Sequence, residues 1–139
     1  MKSFPLKIVT PDGLQFDGEA EELVVRTVDG DMGVMAGHIN CVTALGMGRA
    51  LIVSGGKRRE AACIGGMLSV LEGSVTLVPT TFEWAETIDV RRAAAAEARA
   101  RKALEEKARL SKMEQKIAEA HLKRSLVRQN VAAGSGRHN

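Results

Sequence analysis

The stretch ETIDVRRAAAAEARARKAL, Glu86 to Leu104, divides the chain into two parts of different character. From Val90 to Arg109 there is no glycine or proline, and most residues are alanine, arginine, lysine, glutamate or leucine, which are the strongest helix formers. Asp89 suits the N-cap, because its carboxylate accepts backbone N–H donors and complements the positive end of the helix dipole. The stretch therefore predicts the start of a helical region.

A second helix is predicted from the capping box SKME, in which Ser111 is followed three residues later by Glu114. The first helix is then expected to end near Leu110, and the second to run until a glycine stops it. So short a connection predicts an antiparallel helical hairpin. The predicted helical domain spans residues 88–133, and a disordered tail is expected at 134–139.

The interface of this hairpin is predicted to be only weakly apolar. The second helix carries an apolar stripe at Met113, Ile117, Ala120, Val127 and Val131. The first helix offers Ala96, Ala103, Leu104 and Leu110. Alanine buries little area, so at about 25 cal/mol per Å² the packing gain is modest. The hairpin is expected to be marginally stable and able to open.

The first part of the chain, residues 1–87, reads as short strands separated by turns. FPLKIVT at residues 4–10 alternates apolar with polar or smaller residues before the PDG turn at 11–13. Gly55–Gly56 and Glu72–Gly73 each separate two strand-like runs, which is a strong hairpin signal. Turn signals recur every 8–12 residues or so, which is typical of a sandwich or barrel. The predicted fold class is α+β, with an antiparallel β-sandwich before the helical hairpin.

Charge distinguishes the same two parts. Residues 1–87 hold seven Lys+Arg against eleven Asp+Glu, a net charge of −4, whereas residues 88–139 hold thirteen against six, a net charge of +7. All four aromatic residues precede Ile88, so the basic part lacks stacking platforms for bases. The split favours two modules with different partners and weighs against nucleic-acid binding.

Several other classes of function find no support in the sequence. No window approaches the roughly 18–20 apolar residues of a membrane span, and the N-terminus lacks the apolar region of a signal peptide. Cys41 and Cys63 sit in apolar, strand-like runs, which predicts buried reduced thiols in a cytosolic protein. No Ser-His-Asp order, paired catalytic carboxylates or zinc spacing is found, so the sequence gives no positive sign of an active site.

The arginines of the helical part are more numerous than a solvated helix needs. Arg92 and Arg99 lie two turns apart on one face. If the hairpin folds about residues 110–111, Arg99 comes opposite residue 122 and Arg92 opposite residue 129.

Arg124 and Arg128 form an i,i+4 pair on the second helix and then approach the first two arginines at one end of the hairpin. Each like-charge pair costs roughly 0.5–1 kcal/mol at about 8 Å. An anion would relieve this repulsion, and a polyphosphate matches the planar, bidentate donors of arginine. A solvated basic helix pair, a nucleic-acid surface and a membrane-surface helix remain the alternatives, the last disfavoured because the apolar face is mostly alanine.

A glycine-rich segment, DGDMGVMAGHIN at residues 29–40, matches neither the dinucleotide fingerprint nor the phosphate-binding P-loop. Gly30, Gly33 and Gly37 are predicted to provide backbone turns at a corner of the sandwich. His38 has no ligand partner beside it, which favours an interface or packing role.

Three sequence runs and the basic hairpin that follows them resemble the epsilon subunit of bacterial F-type ATP synthases over residues 3–131. The three runs are DGDMGVMAGHINCVTAL, CIGGMLSV and VTLVPTTFEWAETIDVRRA. The resemblance implies a β-sandwich of about ten strands and a two-helix C-terminal domain. It implies a non-catalytic rotor subunit of the central stalk, which couples proton flow to ATP synthesis.

The resemblance also implies partners and a location. The sandwich would bind the gamma subunit and the membrane ring of c subunits, and the extended hairpin would reach the alpha/beta catalytic head and block ATP hydrolysis. No nucleic acid and no direct membrane insertion are implied. The implied location is peripheral, on the cytoplasmic face of the bacterial inner membrane.

In some bacterial members the folded hairpin binds ATP as a regulatory ligand, and no cofactor is required. The motif Ile-Asp-x-x-Arg-Ala and the family's additional arginines fall here on Ile88, Asp89, Arg92, Ala93, Arg99, Arg124 and Arg128, with Glu83 as a further contact. The subunit-interface loop falls on Gly30, Asp31, Gly33, Gly37 and His38.

The chain departs from the family pattern in that loop. Many members have proline where it has Ala36 and Asn40, which predicts a less rigid loop. Two alternative functions stay open, a free-standing nucleotide-binding module and a basic nucleic-acid-binding adaptor.

Overall fold

The computed structural model describes residues 2–106 and 109–135. The chain forms two compact units that divide between Ala85 and Glu86, and each is described by itself. In the first unit the strands are β1 (Phe4–Thr10), β2 (Gly13–Ala20), β3 (Glu22–Thr27), β4 (Gly30–Val34), β5 (Cys41–Ala44), β6 (Met47–Ser54), β7 (Lys57–Leu71) and β8 (Ser74–Trp84). After a single 3₁₀ turn at Ala85–Thr87, the second unit consists of α1 (Val90–Glu105) and α2 (Lys112–Ser135).

Local sequence signals explain most of the strands and turns. In β1 alternate residues are buried, as the period of two predicts. Gly55 and Gly56 both have positive φ, as do Glu72 and Gly73, so the two predicted tight hairpins are confirmed.

A second kind of turn occurs twice, at TPDG (residues 10–13) and TVDG (residues 27–30). In each turn the threonine hydroxyl accepts the aspartate N–H at 3.1 Å and donates to the glycine carbonyl. Hydroxyl bonds of this kind take the place of backbone pairing where the chain reverses.

The strands form one continuous sheet in the order β2-β1-β8-β7-β6-β3-β4, and β5 also pairs with β7. Neighbours are antiparallel except β1 and β8, which run parallel. The 15 residues of β7 pair with β6 along the first half and with β5 along the second. The sheet thereby folds over on itself, and the expected sandwich is confirmed.

Gly65 and Gly66 lie where β7 changes partners, and both have positive φ. A Cβ on Gly66 would collide with the Val78 carbonyl oxygen and lie 2.6 Å from the Pro79 Cα. Only glycine permits this close approach, so β7 continues through the two glycines as one strand. The described residues form eight strands rather than the expected ten or so.

One hydrophobic core fills the sandwich, with residues from Phe4 to Trp84. Phe82 and Trp84 meet edge to face at 4.9 Å, and the Arg59 guanidinium lies 3.6 Å from the Trp84 ring centroid. Both cysteines are free thiols. Cys63 is buried, which raises its pKa to about 12, but Cys41 is only half-buried, contrary to expectation.

In the hairpin, both predicted caps are confirmed. The Asp89 carboxylate accepts the Arg92 N–H at 3.0 Å, and the Ser111 hydroxyl accepts the Glu114 N–H at 3.1 Å. No helix among the described residues is long and apolar enough to cross a membrane.

The predicted helix ends are wrong. Helix α1 ends at Glu105 rather than near Leu110. Packed helix axes lie 8–10 Å apart and one residue spans only about 3.8 Å, so several residues must leave the helix to make the connection. Helix α2 continues through Gly134 to Ser135, because one glycine lowers helix propensity without forcing a stop. The rest of the predicted disordered tail lies outside the described residues.

Small side chains form the seam between the two helices. Ala93 and Ala100 on α1 are buried, and so are Ala118 and Ser125 on α2. The predicted α2 stripe lies about 120° away around the helix, and its Met113 and Ile117 are exposed, although its Val131 is buried. The prediction failed because small residues let the helices approach closely, so larger apolar residues were not needed at the seam.

Candidate functional site

One side-chain contact between the helices shows the register of the hairpin. The Gln129 amide donates to Glu97 at 2.8 Å, and Arg101, one turn further along α1, donates to the other Glu97 oxygen at 2.6 Å. These two bonds, Arg101 first, hold the pKa of Glu97 below its ordinary value. Glu97 of α1 is therefore level with Gln129 of α2.

This register differs from the expected one by five residues. In an antiparallel pair with Glu97 level with Gln129, Arg99 is level with residue 127 and not with residue 122. The predicted register is wrong because α1 ends five residues earlier than predicted, and the connection uses those residues. Arg92 is correspondingly level with residue 134 and not with residue 129.

The four candidate arginines share one flank of the hairpin. Each residue turns an α-helix by about 100°, so Arg92 and Arg99 lie on the side of α1 away from Glu97. By the same geometry Arg124 and Arg128 lie on the side of α2 away from Gln129. Because Glu97 and Gln129 meet on one flank, these arginines share the other, called the arginine flank from here on.

Along the axis, the arginine flank is not evenly spaced. At about 1.5 Å per residue, Arg99 and Arg128 come within about 2 Å of level, and Arg124 lies about 5 Å from Arg99. Arg92 lies roughly 10 Å from this group, towards the start of α1. The observed register therefore groups three arginines closely and places the fourth apart.

The remaining predicted ATP contacts take part in capping, packing or strand pairing. The Asp89 carboxylate caps α1, and Ile88 and Ala93 are both less than one tenth exposed. Glu83 belongs to β8, where it is in register with Ala62 of β7. Seven of the eight predicted residues thus lie in the hairpin unit and Glu83 lies in the sandwich unit.

A shallow hollow of about 240 Å³ lies on the flank opposite the arginine flank, lined by Arg101, Leu104, Glu105 and Leu122.

Sequence reasoning missed Glu97 and Gln129, although the i,i+4 spacing of Glu97 and Arg101 was a usable signal. Within residues 2–106 and 109–135, no three His, Cys, Asp or Glu side chains are grouped to hold a metal ion.

In the glycine-rich segment the predicted turns are confirmed at two of three positions. Gly30 and Gly37 have positive φ, but Gly33 lies within β4, in register with Val24. Asp31 accepts a hydrogen bond from Arg26 across the β3–β4 pair at 2.7 Å.

The connecting loop, residues 35–40, carries His38 and two exposed apolar side chains. The His38 N–H donates to the Met35 carbonyl at 3.2 Å, and its ring Nδ1 lies 2.8 Å from the Ile39 carbonyl oxygen. Met35 is 52% exposed and Ile39 77% exposed. Both bonds are local, so they shape the loop without burying its apolar side chains.

The sandwich matches a known family. Residues 3–85 match the family described as ATP synthase, Delta/Epsilon chain, beta-sandwich domain. The ATP synthase epsilon chain of Caldicellulosiruptor saccharolyticus is 44% identical over 107 residues, covering 77% of this chain and 78% of that one. The epsilon chain of Ruminococcus albus is 39% identical over 133 residues, covering 95% and 98%.

The fold matches as well. The structure of the Euglena gracilis mitochondrial ATP synthase, OSCP/F1/c-ring, contains a chain that superposes with a TM-score of 0.79 at 23% identity, covering 98% of this chain and 82% of that one. The matched sandwich places the chain in the class of ATP synthase Delta/Epsilon chains. The chain belongs to the ATP synthase epsilon-chain family.

Proposed function

We propose that this chain is a non-catalytic rotor subunit of the central stalk in a bacterial ATP synthase. Its sandwich docks on the gamma subunit and on the ring of c subunits, and it is peripheral to the cytoplasmic face of the inner membrane. Membership of the epsilon-chain family supports this role. The exposed Met35 and Ile39 in the connecting loop are consistent with a contact to the c-ring there.

The hairpin is proposed as the regulatory part. In its extended form it meets the alpha/beta catalytic head and inhibits ATP hydrolysis, and its net charge of +7 suits acidic surfaces there. In its folded form it binds ATP as a regulatory ligand on the arginine flank. The observation that carries the ATP proposal is the near-level placement of Arg99 and Arg128, which follows from the Glu97–Gln129 contact.

The energetics of this switch are favourable for a ligand. ATP at a hundredfold excess over its Kd stabilises the form that binds it by about 2.7 kcal/mol. Because the seam between α1 and α2 consists of small residues, such a gain is large relative to what holds the helices together. ATP would therefore favour the folded hairpin, and its depletion would release it.

Calorimetric titration of the full chain with ATP tests the ligand. We expect Arg99→Ala and Arg128→Ala to weaken binding about ten- to a hundredfold, because each removes a charged hydrogen-bond donor worth roughly 1.5–3 kcal/mol. Arg91→Ala and Lys123→Ala are matched controls that remove neighbouring charges from the outer faces of the same helices. They should bind as the wild type does.

If the wild-type chain does not bind millimolar ATP, the ligand proposal fails and the family membership stands. If the control variants weaken binding as much as Arg99→Ala does, ATP responds to the overall charge, and a specific site on the arginine flank is excluded.

A further inference from the structure

Two side chains, Asn40 and Glu72, join the connecting loop to the turn between β7 and β8. The Asn40 amide donates to the Glu72 carboxylate at 3.0 Å, and the Glu72 backbone N–H donates to the Asn40 side-chain oxygen at 2.9 Å. Asn40 thus uses both ends of its amide on one residue. Because 32 residues separate the two along the chain, these bonds join distant segments and do not simply close a local turn.

The Asn40–Glu72 contact lies between the connecting loop, which belongs to the proposed interface, and the turn between β7 and β8. Asn40 ends the connecting loop, immediately before β5, and Glu72 begins the turn between β7 and β8. Glu72 has a φ of +48°, so its backbone is held in a conformation that few non-glycine residues adopt. The tight turn directs the Glu72 N–H towards Asn40, whose side-chain oxygen accepts the hydrogen bond.

Exposed apolar side chains lie next to both partners. Ile39 precedes Asn40 and is 77% exposed, and Leu71 precedes Glu72 and is 61% exposed. Val42 is 67% exposed on the following strand. The β5–β7 ladder ends at the Cys41–Val70 pair, so the Asn40–Glu72 contact extends the attachment of the loop beyond the ladder to the β7–β8 turn.

We propose that Asn40 and Glu72 are positioning residues that fix the connecting loop to the β7–β8 turn, so that Ile39 and Leu71 meet the ring of c subunits as one surface. This rests on the proposed function, which assigns the loop to the c-ring. It extends the interface to the β7–β8 turn, which the sequence did not indicate.

Three variants separate the hydrogen bonds from the charges. Asn40→Ala removes both bonds. Glu72→Gln removes the negative charge but keeps an acceptor oxygen and the backbone donor. Asn40→Asp combined with Glu72→Gln reverses the side-chain bond, since the glutamine amide then donates to the aspartate while the backbone N–H still donates to the other aspartate oxygen.

Three measurements are made on each variant. Amide hydrogen exchange at Glu72 reports the contact directly in the isolated full chain, and the urea midpoint reports the global fold. Titration into ATP synthase depleted of this chain reports docking. Asn40→Ala should speed exchange at Glu72 and weaken docking about three- to tenfold, since each bond is worth roughly 0.5–1.5 kcal/mol. Glu72→Gln and the double variant should stay within about twofold of wild type.

Equal exchange at Glu72 in the wild type and Asn40→Ala would show that the contact does not hold the loop, and would overturn the proposal. Faster exchange with unchanged docking would show that the loop needs no positioning, and would also overturn it. If the wild-type chain fails to dock at all, the proposed function itself is refuted and the docking claim falls with it. The exchange comparison still decides whether Asn40 and Glu72 hold the loop.

Discussion

Gly66 carries the sharpest steric requirement in the sandwich. An added methyl group would collide with the Val78 carbonyl oxygen and crowd the Pro79 backbone, and the φ of +101° is itself unfavourable for alanine. We expect Gly66→Ala to lower the free energy of unfolding by roughly 2–4 kcal/mol, through overpacking and backbone strain together. Urea unfolding of the full chain measures this loss.

Gly73→Ala is the matched control for that experiment. Gly73 also has positive φ, but a Cβ there meets no atom within 4 Å. This substitution should therefore cost only the left-handed backbone penalty of about 1–2 kcal/mol. Equal losses for the two variants would contradict the steric explanation and leave backbone strain as the whole effect.

In the hairpin, Glu97 makes the contact between the helices sensitive to pH. Arg101 and then Gln129 lower the Glu97 pKa in the folded state. A group with a lowered folded pKa stabilises the fold fully above its unfolded pKa, near 4.5, and loses that contribution as the pH falls through the lower folded value. We expect helical content, followed by circular dichroism, to decrease as the pH falls from about 5 to 3.

Glu97→Gln should remove this part of the pH dependence, because the amide does not titrate and no longer pairs with the Arg101 charge. Glu119→Gln, on α2, is the control and should retain the wild-type profile. A Glu97→Gln profile that coincides with the Glu119→Gln profile would show that other carboxylates govern the acid transition.

At the level of these elements, sequence signals predicted what local chemistry decides. The Gly55–Gly56 turn and the Asp89 cap depend on backbone conformation and one hydrogen bond, so short motifs contain them. The end of α1 at Glu105 depends on the distance between two packed helices, which no local motif encodes. The face of α2 at the seam was mispredicted for the same reason, because Ala118 and Ser125 are favoured by close approach and not by hydrophobicity.

The same contrast between local and long-range determinants holds for the candidate site. The identity of the four arginines and their sharing of one flank follow from helical spacing and the antiparallel pairing. Their level along the axis does not, since it depends on the length of the connection. The Glu97–Gln129 and Asn40–Glu72 contacts join residues 32 positions apart in each case, and a single sequence gives no signal for such pairs.

For the whole molecule, the division into two units predicts separable functions. The hydrophobic core lies entirely within Phe4–Trp84, so residues 1–87 should fold without the hairpin. We expect a chain ending at residue 87 to unfold cooperatively on its own and to assemble into the enzyme. ATP hydrolysis by that enzyme should rise above that of the complete one, if the hairpin inhibits.

Hydrolysis rates of the two assembled enzymes, measured at equal occupancy of this subunit, provide the comparison. Unchanged hydrolysis would contradict inhibition by the hairpin. Failure of residues 1–87 to fold would contradict the independence of the sandwich core, and circular dichroism of the isolated fragment would reveal it.

The seam of Ala93, Ala100, Ala118 and Ser125 has a thermal consequence. The heat-capacity change of an unfolding step scales with the apolar area that it exposes, about 0.45 cal/K/mol per Å². Separating these small side chains, with the half-buried Leu104 and Leu122 beside them, exposes far less apolar area than unfolding the sandwich core, so parting α1 from α2 carries only a small heat-capacity change. The open-to-closed ratio of the hairpin then follows a nearly straight van 't Hoff line, while the stability of the sandwich passes through a curved maximum. Warming or cooling therefore shifts the hairpin only gradually, and a bound ligand is what can shift it sharply.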